Sequence, residues 1–284
     1  MTQFRFHVGR DLNLFCHTIA LFPESFRSEG SAFNNARYRQ IHPHLRTEQL
    51  TRLFSDLLKL GWADWDFVGL SLLGGDTGGS FESRIRDGFG RLASIWSAIL
   101  DESWKGYAEM WPEVQSRLNQ HKSRFEEEWK PMGEGVMQGI REISETSWNP
   151  DLVDVQLVDS LNGGASFAST ILLAPVANLE IEKKLLAHEL SESAFSAKGL
   201  QAKLESRNAN PEFFHAVVDT AAYFALKAWL KPEYVEKLKP NPAYYVGAEP
   251  VYSAFEKSSP LSGAYRGLDG LIAAVAEESA GLRS

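Results

Sequence analysis

A chain of 284 residues, 44% of them hydrophobic and 23% charged, has enough apolar side chains for a sizeable core, built as one large domain or two subdomains, which excludes disorder. Its 37 acidic residues against 29 Lys and Arg leave a formal charge of −8, and no basic run offsets it, so nucleic acid is excluded as a partner. The lone cysteine, Cys16, excludes an intrachain disulfide and a thiolate metal cluster.

Charges interrupt the N-terminal stretch from Met1 to Asp11 every few residues, so it lacks the apolar core of a signal peptide. No run approaches 18 uninterrupted apolar residues, so no membrane span is expected, and the expected location is cytoplasmic. Residues Phe4 to Val8 are a candidate strand. Cys16 and His17 lie together in an apolar stretch. Adjacent residues rarely face each other, so the thiol reads as buried and inert and not as half of a Cys/His nucleophile. In His42-Pro43-His44 the proline predicts an extended surface loop with the two imidazoles on opposite sides.

Helical spacing of Leu50, Leu53, Phe54, Leu57 and Leu58 predicts a helix over 47–60, stopped by Gly61. The glycine-rich Leu73 to Gly79 lacks the Gly-Lys-Ser/Thr of a phosphate loop and reads as a turn. Further helices are predicted over 83–100, 111–129 and 135–146. Near Asn149-Pro150 the periodicity changes. Val153 to Val158 alternates apolar and polar residues as a half-buried strand does, Leu161 to Gly164 is a turn, and Phe167 to Ala174 reads as a second strand. A helix then starts at the cap Asn178, with Glu180 and Glu182 opposing the positive dipole end, and stops at Gly199. Another starts at Asn210-Pro211 and closes after Trp229. A Pro- and Tyr-rich stretch follows over 240–252, and a last helix is expected over 270–278. The eight tryptophans are scattered and read as packing residues.

One segment carries a chemical pattern. His188 and Glu192 are four residues apart in the helix over 178–199, so they share a face and can bind one divalent ion through an imidazole nitrogen and a carboxylate oxygen. Glu189 points about 100° away from them. The stretch Leu185-Leu186-Ala187-His188-Glu189-Leu190-Ser191-Glu192 resembles the active-site helix of zincin metallopeptidases, the gluzincin-like branch in particular. The order of elements over roughly 150–255 is similar, and Asn210 to Val218 resembles the second-helix region of zincin-like proteins.

The resemblance implies a metal centre with His188, Glu192 and His215 as ligands and Glu189 as the general base acting on a metal-bound water. Asp219, one turn beyond His215, either replaces it as ligand or orients it. Tyr244 or Tyr245, Tyr245 in the first instance, is implied as the phenol that stabilises an oxyanion. Glu192 departs from the family pattern, which has His there. Carboxylates also bind zinc, so zinc stays the expected ion, while two histidines and one carboxylate also suit iron or manganese.

The expected fold is α+β and mainly α. A helical N-terminal subdomain spans 1–147, and a zincin-like core over 148–284 holds a small, mostly antiparallel sheet and the active-site helix. The expected function is a metal-dependent, peptidase-like hydrolase acting on a peptide or small-molecule substrate. The alternative is a catalytically inactive zincin-like scaffold that binds or regulates a partner.

Overall fold

The computed structural model describes residues 2–22, 32–60, 81–207, 209–258 and 267–280. The chain begins with β1 (Gln3–His7), α1 (Arg10–Ala20), α2 (Ala36–Ile41), a 3-10 turn (Pro43–Leu45), α3 (Glu48–Lys59) and α4 (Phe81–Phe89). A 3-10 turn (Gly90–Leu92), α5 (Ala93–Trp129), α6 (Gly133–Ser144), β2 (Leu152–Leu157), β3 (Gly164–Phe167) and β4 (Thr170–Leu173) follow. The last part holds α7 (Leu179–Ala197), α8 (Leu200–Ser206), a 3-10 turn (Pro211–Phe213), α9 (Phe214–Leu226), a 3-10 turn (Lys227–Trp229), α10 (Pro232–Val235), α11 (Ala248–Ser258) and α12 (Gly267–Ala280). The class is α+β, mainly α, as the periodicity indicates. No helix among the described residues is long and apolar enough to cross a membrane.

Most predicted boundaries fall within a residue or two. Thr47 caps α3 by accepting from Leu50 N, and its buried stripe is Leu50, Phe54 and Leu57. The helices expected over 83–100 and 111–129 are divided differently. The break falls at Gly90, whose φ of +49° suits glycine, and α5 then runs unbroken for 37 residues through Pro112. The backbone bond missing at Pro112 is offset by a buried stripe, Tyr107, Trp111, Val114 and Leu118, on one face across the proline. The expected strand over 167–174 is a hairpin: β3 and β4 pair antiparallel with Phe167 opposite Thr170, and Ala168 takes a positive φ of 55°. Ala-Ser carries no glycine or proline signal, which hid that turn.

The four strands have the order β1-β2-β4-β3 in a mixed sheet, not a mostly antiparallel one. Gln3 N donates to Asp151 O (2.9 Å) where β1 and β2 begin, and Val158 N donates to Leu173 O (3.0 Å) where β2 and β4 end. Joining start to start and end to end marks parallel neighbours, and the helices between β1 and β2 supply the crossover that parallel pairing needs. The histidines of His42-Pro43-His44 are not on opposite sides either. Pro43 opens a 3-10 turn, which brings the two rings to 6.2 Å. The glycine-rich stretch over 73–79, and Trp62 and Trp65, lie outside the described residues.

The chain divides into two compact units that are interleaved in sequence. One comprises Met1–Arg5, Phe125–Asp154 and Val176–Ser284; the other comprises Phe6–Arg124 and Val155–Pro175. The expected boundary near residue 147 falls inside the middle segment of the first unit. In the second unit Trp96 is fully buried among Phe15, Phe54 and Phe89, with ring centroids at 5.4, 6.0 and 5.0 Å. In the first unit α9 is the hub, packing on α6, α7 and α11. It is buried nearly all round, as its run Ala216-Val217-Val218 and Ala221-Ala222 requires. Small residues bring α6 close: a Cβ on Gly139 would lie 3.1 Å from the Ala225 Cβ. Trp229 departs from the packing role given to the tryptophans. It stays 44% exposed, because the 3-10 turn after α9 lays one part of its ring over Gly135 and leaves the rest in solvent.

Candidate metal centre

The motif helix α7 forms where its caps place it. Asn178 Oδ1 accepts from Glu180 N (3.0 Å), two acidic residues follow in the first turn, and Gly199 ends the segment with a φ of +69°. Asn210 likewise accepts from Glu212 N (3.0 Å), and its Pro211 starts the turn that leads into α9. His215 is therefore the second residue of α9, and the packing of α9 on α7 brings it to the motif.

His188, Glu192 and His215 come together, each offering one donor atom, with all three donors within 4.8 Å of one another. His188 Nε2 is 3.9 Å from Glu192 Oε2. The imidazole planes of His188 and His215 are nearly parallel, 6° apart, with centroids at 6.1 Å. Burial grades outward: His188 is buried, Glu192 half-buried and His215 exposed, so the group opens to solvent on one side. Donors on a tetrahedral ion with bonds of about 2.0–2.2 Å stand about 3.4 Å apart. The three residues fit a divalent cation with a small inward movement, and two nitrogens with one carboxylate is a donor set such cations accept.

The other ring nitrogen of His188 is also held. Nδ1 lies 3.3 Å from Asp219 Oδ1, while Asp219 Oδ2 accepts from Lys184 Nζ at 2.8 Å. A carboxylate can only accept, so Nδ1 carries the proton, and a neutral His188 then presents a bare Nε2 toward Glu192. Asp219 thus faces His188, not His215, and stands outside the group of three converging donors. Its carboxyl works against burial, yet the His188 hydrogen bond and the Lys184 charge hold it below the ordinary Asp range. For His188, burial disfavours the charged form. The Asp219 hydrogen bond and the carboxylates of Glu189, Asp219 and Glu192 outweigh that and raise its pKa. His215 is lowered, by burial and by His188.

Glu189 is 4% exposed, and its Oε2 is buried with no hydrogen-bond partner among the described residues. Burial pushes its carboxyl up to about 8, with His188 acting against the shift and Glu192 adding to it. It is no solvated helix charge. Of the two candidate phenols, Tyr244 is 80% exposed, while the ring of Tyr245 stacks on both site histidines, 5.8 Å from His188 and 6.5 Å from His215. Burial and the nearby carboxylates of Asp219, Glu189 and Glu192 raise its pKa, so its hydroxyl is a donor at neutral pH.

Lys184 is the residue that sequence reasoning missed. Its signal was its position, one turn before His188 on the same helix face. Comparison of the chain with protein-family models, with curated proteins and with solved structures finds no match.

Proposed function

We propose that the protein is a metal-dependent hydrolase of peptide-like bonds, with His188, Glu192 and His215 as ligands and Glu189 as general base. The observation that carries this reading is the convergence of the three donors within 4.8 Å, with Asp219 fixing the proton on the far side of His188. Bound there, a divalent ion would act as a Lewis acid and lower the pKa of water towards about 7. Zinc is the first candidate, with iron and manganese as the alternatives for this donor set.

The protein's own groups divide the remaining work. Hydrolysis adds OH to the acyl carbon and H to the leaving nitrogen. Glu189 takes the proton released by the attacking water and delivers it to that nitrogen. Tyr245 donates to the oxygen that becomes negative as the carbon turns tetrahedral. The buried wall around Glu189 keeps bulk water from competing for the proton.

Metal analysis of the purified protein alongside Glu192→Ala and His215→Ala tests this. The expected result is about one equivalent of a divalent metal in the wild type and much less in both variants. Equal, negligible metal in all three would sink the reading and leave the second one, a non-catalytic binding or regulatory protein. That second reading draws support from Glu189 itself. With a pKa near 8 its carboxyl is protonated at neutral pH unless positive charge lies beside it, and a protonated carboxyl takes up no proton.

A further inference from the structure

The segment that brings Tyr245 to the candidate metal centre meets the start of α9 at a contact closer than any side chain permits. Gly247 lies two residues after Tyr245 and takes a φ of +78°. A Cβ built on it would stand 2.4 Å from Cε1 and 2.5 Å from Cδ1 of Phe213. Phe213 in turn lies two residues before His215. One contact therefore joins the residue behind the phenol to the residue behind a metal-ligand candidate.

Neither partner has room to give way. The Phe213 ring is 6% exposed, and its backbone is held in the 3-10 turn by Phe213 N donating to Asn210 O (3.0 Å), directly before α9. On the other side, Asn241 O accepts from Tyr244 N (3.0 Å) and Tyr245 N (3.2 Å), and Ala248 N donates to Tyr245 O (3.2 Å). The segment thus enters α11 as one hydrogen-bonded turn. Tyr244 and Val246 are 80% and 57% exposed, so of three consecutive side chains only Tyr245 packs inward, on the two imidazoles. Its placement then depends on that turn and on how near Gly247 comes to Phe213.

The same approach bears on the ion. The three donors lie within 4.8 Å of one another and must close to about 3.4 Å around a bound cation. Extra bulk at Gly247 would displace either the His215 end of α9 or the Tyr245 turn, and both belong to the same small group. We infer that Gly247 and Phe213 are positioning residues of the metal centre, whose contact sets Tyr245 against His215 and holds His215 opposite His188 and Glu192. The inference rests on the metal-binding part of the reading above.

A double-mutant cycle on the full chain tests it, with affinities for Zn²⁺ and Mn²⁺ measured by competition with a chelator. Gly247→Ala should weaken binding by about 10- to 100-fold, the scale for residues that support metal ligands. Phe213→Val removes the ring atoms that the new methyl would meet, so in that background Gly247→Ala should cost less than about threefold. Gly163→Ala is the control: Gly163 has a positive φ of 109° in the other compact unit, and a Cβ there would meet nothing within 4 Å. It should leave affinity unchanged. A parallel measurement needs no variant. On titration of the wild type with Zn²⁺, the NMR signals of Gly247 and Phe213 should shift in step with those of His215, while Gly163 stays still. Wild-type affinity in Gly247→Ala, equal losses in both Phe213 backgrounds, or Gly247 and Phe213 signals that stay put while His215 shifts would overturn the inference and leave the metal centre standing. Negligible affinity of the wild type for both ions would overturn the metal centre itself.

Discussion

Each compact unit buries a histidine whose Nδ1 faces an oxygen, and the two oxygens lead to opposite chemistry. His17 Nδ1 lies 2.6 Å from the Tyr38 hydroxyl; His188 Nδ1 lies 3.3 Å from the Asp219 carboxylate. Among the described residues no carboxylate pairs with His17 to hold a proton in place. Its ring lies against Tyr107, tilted by 30° with centroids at 4.4 Å, its Nε2 has no hydrogen-bond partner among the described residues, and burial, with His42 adding to it, drives its pKa down to about 3. Around His188 three carboxylates outweigh burial and raise the pKa. Burial alone turns an imidazole into a neutral packing group. Burial among carboxylates makes it a cation or, with its far nitrogen bare, a ligand. The same contrast disposes of Cys16 as a nucleophile: full burial raises the thiol's pKa well above its ordinary value, which suppresses the thiolate.

The largest expected effect breaks the comparison if it fails. On the proposed reading, Glu189→Gln keeps its metal and loses about 10³-fold in kcat, within the range for removing a general base. Cys16→Ser should leave kcat unchanged. A reversed outcome, measured on the same peptide, would move the chemistry to the His17 unit. Next in size is Tyr245→Phe. The ring stacks on His188 and His215 and the substitution keeps the ring, so metal content should hold while kcat falls about 10²-fold, the cost of one oxyanion donor. If metal is lost as well, Tyr245 is packing for the histidines.

These residues were not equally legible in the sequence. His188 and Glu192 were, because a helix of known phase puts residues four apart on one face. Asn178, Gly199 and Asn210-Pro211 marked that helix and the next. The partner of Asp219 was not legible. Within α9 it lies four residues after His215, which made His215 the natural expectation. Only the packing of α9 on α7 sets Asp219 against His188 and Lys184. Pairing between elements is a tertiary fact that periodicity does not carry. The mixed sheet and the β3–β4 hairpin were hidden for a related reason: alternation marks a strand and says nothing of its neighbour. α1 is not legible because Leu12 to Ala20 is buried nearly throughout, and α2 because its six residues bury Tyr38 alone, too little to display a helical period.

Asp219→Asn sharpens the comparison by making His188 more like His17, with a neutral partner on Nδ1. An amide can donate as well as accept, so it no longer dictates the tautomer. The expected result is metal affinity weakened by about 10- to 100-fold, measured by competition with a chelator. Lys184→Met should act in the same direction and more weakly, since Asp219 keeps its contact with His188. Unchanged affinity in Asp219→Asn would mean that Asp219 serves only its ion pair with Lys184.

The smallest expected effect concerns stability against pH in the metal-free protein. His17 has a folded pKa near 3 against an ordinary 6.5, so the folded state favours its neutral form. Its contribution is complete above about pH 6.5 and is lost as pH falls towards 3, at up to about 1.4 kcal/mol per pH unit. Glu189 pulls the other way. Its carboxyl rises from 4.5 to about 8 on folding, so its contribution is complete below about pH 4.5 and is lost as pH rises towards 8. Between pH 6.5 and 4.5 the two slopes oppose each other, and single variants separate them. His42, lowered mainly by burial, adds to the His17 slope, whereas Tyr38, Tyr107 and Cys16, the other ionisable groups around that ring, have raised pKa values and stay neutral throughout. Urea unfolding across this window should therefore show His17→Phe gaining stability relative to wild type as pH falls, on top of a constant offset from the lost Tyr38 contact. Glu189→Gln should lose stability relative to wild type over the same span. A flat difference curve for His17→Phe would show that the ring accepts its proton without unfolding, and the contrast between the two buried histidines would then be one of partners and not of charge.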